Sequence, residues 1–406
     1  MTFRVALSGL NAASADLNVT ANNIANTATN GFKGSRAEFA ELFAVSPQGV
    51  ANTQSGQGVR VSNVAQQFSQ GNIDFTDSSL DLAISGQGFF ILDDGGALAY
   101  TRAGAFQADR DGYIVNAEGK RLQVYEPAPA GGFNTGALSD LQLVSGESPP
   151  AATSQVELVA NLPANVTPPV NATFDPTDPT SYTNATALSL YDSLGAAHTG
   201  TLYFTKTAVP NEWTAQLYVD GTAVGTAQTL SYSNTGVLTA PAGNGQLAFP
   251  AYTPATGAAP MSLSIDVSRT TQYGATFSVN SLTQDGYTTG RLIGMDIGST
   301  GIVQARFTNG RSIALGQVAL ANFANPQGLQ QLGNTNWAET HDSGQALRGL
   351  AGNSGFGLLQ SGALESSNVD ITEQLVNMIT AQRNFQANAQ MISTSDQITQ
   401  TIINIR

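Results

Sequence analysis

Apolar residues recur every seventh position at the start of the chain, at Phe3, Leu10, Leu17 and Ile24, and Leu7, Ser14 and Ala21 fill the second seam position. This heptad stripe predicts a helix over 3–26. Gly9 is its one weakening residue, at a cost of roughly 1 kcal/mol relative to alanine. Asn30-Gly31 tolerate positive φ and suit the turn after the helix. A second stripe runs through Ile371, Met378, Phe385 and Ile392, with Leu375 and Ala389 between them. It then shifts by one residue to Ile398, Ile402 and Ile405. The spacing predicts a helix over 368–405, roughly 55 Å long. Ser366-Ser367-Asn368 are its N-cap candidates, and Asp370 and Glu373 lie in the first turn, where the helix dipole favours them.

Between the ends the period changes to two. ISGQGFFILDD (84–94) and the run from 97 to 125 read as short strands split by turns such as Asp111-Gly112 and Glu118-Gly119. TGTLYFTK (199–206) and EWTAQLYVDG (212–221) alternate cleanly, and Asn309-Gly310 marks a hairpin turn inside 301–320. Prolines 149, 150, 163, 168, 169, 176 and 179 make 148–182 read as a linker leading into a middle region, which ends near 278–290. The order is therefore helix, β, inserted β, β, helix.

Charge sharpens this picture. Charged residues make up 11% of the chain, against about 25% in an ordinary domain. The net charge is −13 and the only lysines are Lys33, Lys120 and Lys206, which argues against nucleic acid and against anionic membranes as partners. Residues 1–32 carry only Arg4 and Asp16. Their outward positions are read as Ser8, Asn11, Asn18, Asn22 and Asn23, and those of the second helix as Gln374, Asn377, Gln382, Asn384, Asn388, Gln390 and Gln397. A helix face in bulk water is normally rich in Lys and Glu. Neutral amide faces suit packing on other protein without desolvating charge. A lone pair of helices recovers too little apolar burial to offset chain ordering. The termini are therefore expected to be poorly ordered in the monomer and to fold together when many copies pack.

Catalytic chemistry finds little support. The chain has no cysteine, so disulfides, thiolate metal sites and cysteine nucleophiles are excluded. His198 and His341 belong to no metal or triad motif. DRDG (109–112) opens like a calcium loop, but Lys120 stands where the bidentate Glu is needed. FDPTDP (174–179) reads as turns, and Gly86-Gln87-Gly88 lacks the third glycine of a dinucleotide loop. No cofactor is expected. No apolar run is long enough to span a membrane. The N-terminus lacks the basic and apolar regions of a secretory leader, so export without a cleaved signal is expected.

SGLNAASADLNVTANNIANTATNGFKGS (8–35) closely resembles the N-terminal signature of bacterial flagellar rod and hook proteins, and SGALESSNVDITEQLVNMITAQRNFQANAQMISTSDQI (361–398) resembles their C-terminal signature. DLAISGQGFFIL (81–92), the run 100–125 and GQVALANFANPQGLQQLGNTNWAET (316–340) are similar to the family's inner β domain. The long insertion looks like that of the hook-type members, since distal rod relatives lack an inserted domain.

The resemblance implies an α+β, multidomain fold, with mainly β-strand outer domains nested between N- and C-terminal α-helices that pair as a coiled coil. The expected parts are 1–30 with 366–406 as a helical inner-tube domain and 31–71 with 341–365 as connecting segments. Residues 72–145 with 285–340 form an inner β domain and 146–284 an inserted outer β domain. The implied function is that of a structural, non-enzymatic subunit polymerising into a curved, flexible tube that transmits torque from basal body to filament. The implied partners are other copies, the rod, the hook cap, the hook–filament junction proteins and the flagellar type III export apparatus, and the implied location is the extracellular flagellum. The assembly interface is expected at Phe3, Leu7, Leu10, Leu17, Ile24, Ile371, Leu375, Met378, Phe385, Ile392, Ile398, Ile402 and Ile405. Phe39 and Phe43 fit the family's export-gate pattern, and they equally fit packing on the inner β domain. A distal rod or hook-cap component is the near alternative; a secreted adhesin or carbohydrate-active enzyme is the distant one, and neither of those needs uncharged helices at both ends.

Overall fold

The computed structural model describes residues 2–42, 56–129, 131–143, 146–171 and 173–404. They form two compact units, one made of 1–145, 294–306 and 312–406, the other of 146–293 and 307–311. The inserted segment thus runs past residue 284 to Ile293 and includes 307–311.

Helix α1 spans Thr2–Ala25 and helix α2 spans Ile371–Asn404, and both lie in the first unit. Gly31 adopts φ +68° after α1, and a methyl group there would lie 2.4 Å from the Ala103 backbone nitrogen, so only glycine fits. The N-cap of α2 differs from expectation. Asp370 is the cap: its Oδ1 accepts from the backbone nitrogens of Thr372 at 2.7 Å and Glu373 at 3.3 Å. Asn368 is committed elsewhere, accepting from Gly34 N at 2.8 Å and donating to Gln67 O at 2.7 Å. Strands β1 (Ser35–Glu41) and β2 (Val59–Gln66) form an antiparallel ribbon beside α1.

The large sheet of this unit runs through Ser312–Asn322, Arg121–Tyr125, Phe89–Asp94, Ala97–Thr101, Asn336–Ala338 and Gln330–Gly333. Its central strands are buried on both sides, so successive residues enter different cores. Phe90, Leu92, Leu122, Val124, Val318 and Leu320 fill one face. Phe89, Ile91, Tyr100, Ala319, Ala321 and Trp337 fill the other. The chain turns between the strands Leu82–Ser85 and Phe89–Asp94 at Gly86 and Gly88, whose φ values of +120° and +126° belong to glycine. Asp109 Oδ1 accepts from the backbone nitrogens of Asp111 and Tyr113, so DRDG closes a turn on itself.

The second unit is a sandwich. One sheet is the antiparallel meander Asn184–Tyr191, Ala197–Lys206, Glu212–Val219, Thr222–Tyr232 and Leu238–Ala240. The other is organised around Gln155–Pro163, which pairs parallel with Ser264–Asp266 and Thr271–Tyr273 and antiparallel with Ser278–Gln284. Leu158 and Leu162 from one sheet meet Leu202, Phe204, Trp213 and Leu217 from the other in a single core. The linker reading of 148–182 is therefore corrected. Val156, Leu158, Ala160 and Leu162 alternate into the core, and the surrounding prolines hid that period.

At one end of the meander, His198 bridges two carboxylates. Its Nδ1 lies 2.6 Å from Asp220 Oδ2 and its Nε2 lies 3.2 Å from Asp192 Oδ2. Burial pulls the imidazole pKa down, but the bonds to Asp220 and Asp192 carry it above its ordinary value.

Candidate assembly site

α1 and α2 lie antiparallel, and two contacts set one register. Asn23 Nδ2 donates to Gln374 Oε1 at 3.2 Å. Two heptads earlier on α1, a methyl group built on Gly9 would lie 2.5 Å from Asn388 Oδ1, two heptads later on α2. Between these contacts Asp16 falls level with Ala381, a fully buried residue. The seam thus runs through Gly9, Asp16 and Asn23 against Asn388, Ala381 and Gln374. Small and amide side chains let the backbones approach and bond across.

This corrects part of the expected seam. Leu7, Ala21 and Leu375 are exposed, whereas Asn23, placed outward by the sequence, is buried. Gln374 and Asn388, also placed outward, are partly buried in the seam. The other expected stripe lies along it: Leu10, Leu17, Ile24, Met378, Phe385 and Ile392 are half-buried. Phe3, Ile371 and Ile398 are exposed. The Ile402 side chain, Ile405 and Phe43 lie outside the described residues. Phe39 sits exposed on β1.

Exposure elsewhere on the helices is apolar as well. Val5, Val376, Ile379, Met391 and Ile403 stand open to solvent. About 13 Å of α2, from Asp396 to Asn404, runs past the level of Thr2 in this register.

A buried charged node at the foot of the helices has no motif to announce it in the sequence. Lys33 Nζ lies 2.6 Å from Glu365 Oε1, and Arg102 Nη1 lies 3.2 Å from Glu365 Oε2. Lys33 also donates to Ser69 O at 2.7 Å, Arg102 to Gly86 O at 2.9 Å, and Gly71 N to Glu365 Oε1 at 2.9 Å. Gly31 N donates to the Glu365 carbonyl at 2.7 Å. The node ties the exit of α1, the approach to α2 and the sheet together. Burial pulls the Lys33 and Arg102 pKa values down, and Glu365 opposes it. Asn23 completes the joint. Its amide donates to Ser35 O at 2.7 Å and accepts from Ser35 N at 2.9 Å, as a neighbouring strand would. The one signal in the sequence is scarcity: Lys33 ends a long uncharged run.

Among the described residues no cluster of His, Asp and Glu could hold a metal, and no helix is long and apolar enough to cross a membrane.

Known families match along the chain in the same order as these parts. Residues 3–33 match the family described as flagella basal body rod protein, and 83–168 match the flagellar hook protein FlgE/F/G D1 domain. Residues 161–287 match the flagellar basal body protein FlaE D2 domain, and 360–405 match the flagellar basal body rod FlgEFG protein C-terminal region. The fold and its paired ends are thus those of a flagellar rod-and-hook structural protein.

Full-length relatives narrow the class. The chain is 39% identical over 418 residues to flagellar hook protein FlgE of Salmonella typhimurium LT2, with all of both chains covered. It is 38% identical over 420 residues to that of Escherichia coli K12, again over all of both chains. It is 35% identical to that of Borreliella burgdorferi B31, over 98% of each chain. The crystal structure of Helicobacter pylori flagellar hook protein FlgE2 shares the fold, with a TM-score of 0.54 over 72% of this chain and all of that one, at 14% identity. The chain belongs to the flagellar hook protein FlgE family and is a structural subunit of the bacterial flagellar hook.

Proposed function

We propose that the chain polymerises through its terminal helices into the inner wall of a curved tube, with its β-sheet parts outside that wall. The resulting joint carries torque from basal body to filament while it bends. One observation carries this reading: the paired helices leave several large apolar side chains, among them Phe3, Leu7, Ile371, Leu375 and Ile398, open to solvent. Full burial of such a side chain is worth roughly 1.5–3 kcal/mol. Neighbouring copies are the cover that fits, because the remaining helix surface is mostly neutral amide and hydroxyl. The thirteen residues named in the sequence analysis form this interface, partly within the chain and partly between copies.

The same reading places rod, hook cap and hook–filament junction proteins at the ends of the tube. It routes the chain through the flagellar type III apparatus without a cleaved signal. Exposure of Phe39 supports a role as half of the export-gate pattern with Phe43. Electron microscopy of basal bodies from cells lacking only this gene tests the whole. Rods that end without a hook, in non-motile cells, are expected; intact hooks would overturn the proposal.

A further inference from the structure

The few charges on the helices are placed in a way that the single chain does not use. Helix α2 carries one cation, Arg383, and α1 carries one acid, Asp16. Among the described residues neither makes a hydrogen bond or ion pair.

Asp16 stands in the seam, half-buried, and burial pushes its carboxyl above the ordinary value. It lines a groove of about 430 Å³ with Val19, Phe39, Arg36, Asp370 and Glu373. The groove holds more acid than base, and Arg36 is already bound to Glu38 at 2.7 Å. Arg383 lies five residues beyond the seam residue Met378, at the heptad position that points away from α1. Val376 and Ile379 stand exposed on the same outer face, two turns and one turn before it respectively. That face therefore offers two branched apolar side chains and a cation. The groove offers Val19, Phe39 and an uncompensated acid.

We infer that the outer face of α2 in one copy docks on the groove of a second copy, with Arg383 reaching Asp16. The inference rests on the proposed polymer and names its register-setting contact. A charge left unpaired between packed helices is costly, so the pair selects one alignment of neighbours among the many that smooth neutral faces would accept. The inner wall then gains specificity from two charges in a nearly uncharged helix pair.

The cysteine-free sequence makes the test clean. Single-cysteine chains Asp16→Cys and Arg383→Cys are polymerised separately and as a mixture, then oxidised. The mixture is expected to give disulfide-linked dimers in the polymer fraction, and each chain alone to give few. In parallel, Asp16→Arg and Arg383→Asp are each expected to lower polymer yield about tenfold or more, and the double exchange to restore it. Circular dichroism of the monomers checks that helix content is kept. No cross-link in the mixture, or single exchanges that polymerise like the parent, would overturn the contact while leaving the polymer intact. A parent chain that forms no polymer would instead overturn the reading beneath it.

Discussion

Lys33 and Glu365 meet in a 2.6 Å ion pair from which solvent is wholly excluded, although they stand at opposite ends of the chain. A buried pair is costly to make and costlier to break. Here it has a second cation, Arg102, and three backbone partners, so it fixes where both helices leave the sheet.

Removing the shared acid leaves two buried cations facing each other. Glu365→Ala is expected to destabilise the first unit by about 3–5 kcal/mol, and Lys33→Ala by less, because Arg102 still neutralises Glu365. Urea unfolding of the monomer measures both. Equal losses would show that Arg102 does not share the load.

At Gly9 the helices leave no room for a side chain: an added methyl group would lie 2.5 Å from Asn388 Oδ1. Gly9→Leu is expected to prise α1 from α2 by clashing with Asn388, while the melting of both β units stays as in the parent. Polymer yield should fall sharply. Normal polymerisation of this variant would mean that the register through Gly9 is not used in the tube.

The helix pair has a thin seam of small and amide residues, so its stability in the monomer should be low. Amide hydrogens of 3–25 and 371–404 are expected to exchange quickly in dilute monomer and to be strongly protected in polymer. Mass-spectrometric exchange distinguishes the two, and equal protection would show that the pair is stable alone.

Acid–base behaviour should centre on the His198 bridge. The folded imidazole titrates above 6.5, so its stabilising contribution is full below about 6.5 and is lost as pH rises through the raised value. Asp192 behaves oppositely. Burial alone would raise its pKa, yet bonds from Thr256, Ala196 and His198 hold it at about 2 against an ordinary 3.8. Its contribution is full above 3.8 and lost as pH falls through about 2. Melting followed by Trp213 fluorescence in a Trp337→Phe background should weaken on both sides of a mildly acidic optimum. His198→Asn should flatten the alkaline side; an unchanged profile would sink the assignment.

Much of this architecture is legible in the amino-acid sequence. Heptads report both helices to within a few residues, because a helix of this length repeats its signal many times. Asn309-Gly310 marks its hairpin because the turn itself demands positive φ, which Gly310 adopts at +78°. The seam is harder to read. Gly9, Asp16, Asn23, Gln374 and Asn388 look like surface residues, and an apolar pattern cannot reveal a contact made by amides and a glycine. The strand Gln155–Pro163 is hidden by flanking prolines, although its own alternation is intact. The Lys33–Glu365–Arg102 node joins three distant segments, and no local period connects them.

The antiparallel pairing of α1 with α2 also orders events in time. Synthesis delivers α1 first and Asn388 only after every described strand has emerged, so the Gly9–Asn388 contact closes late. A chain cut between Glu365 and Ile371 keeps every described strand and still has no partner for α1. On the proposed assembly, completion of the polypeptide becomes a licence to join neighbours, and unfinished copies are left out of the wall.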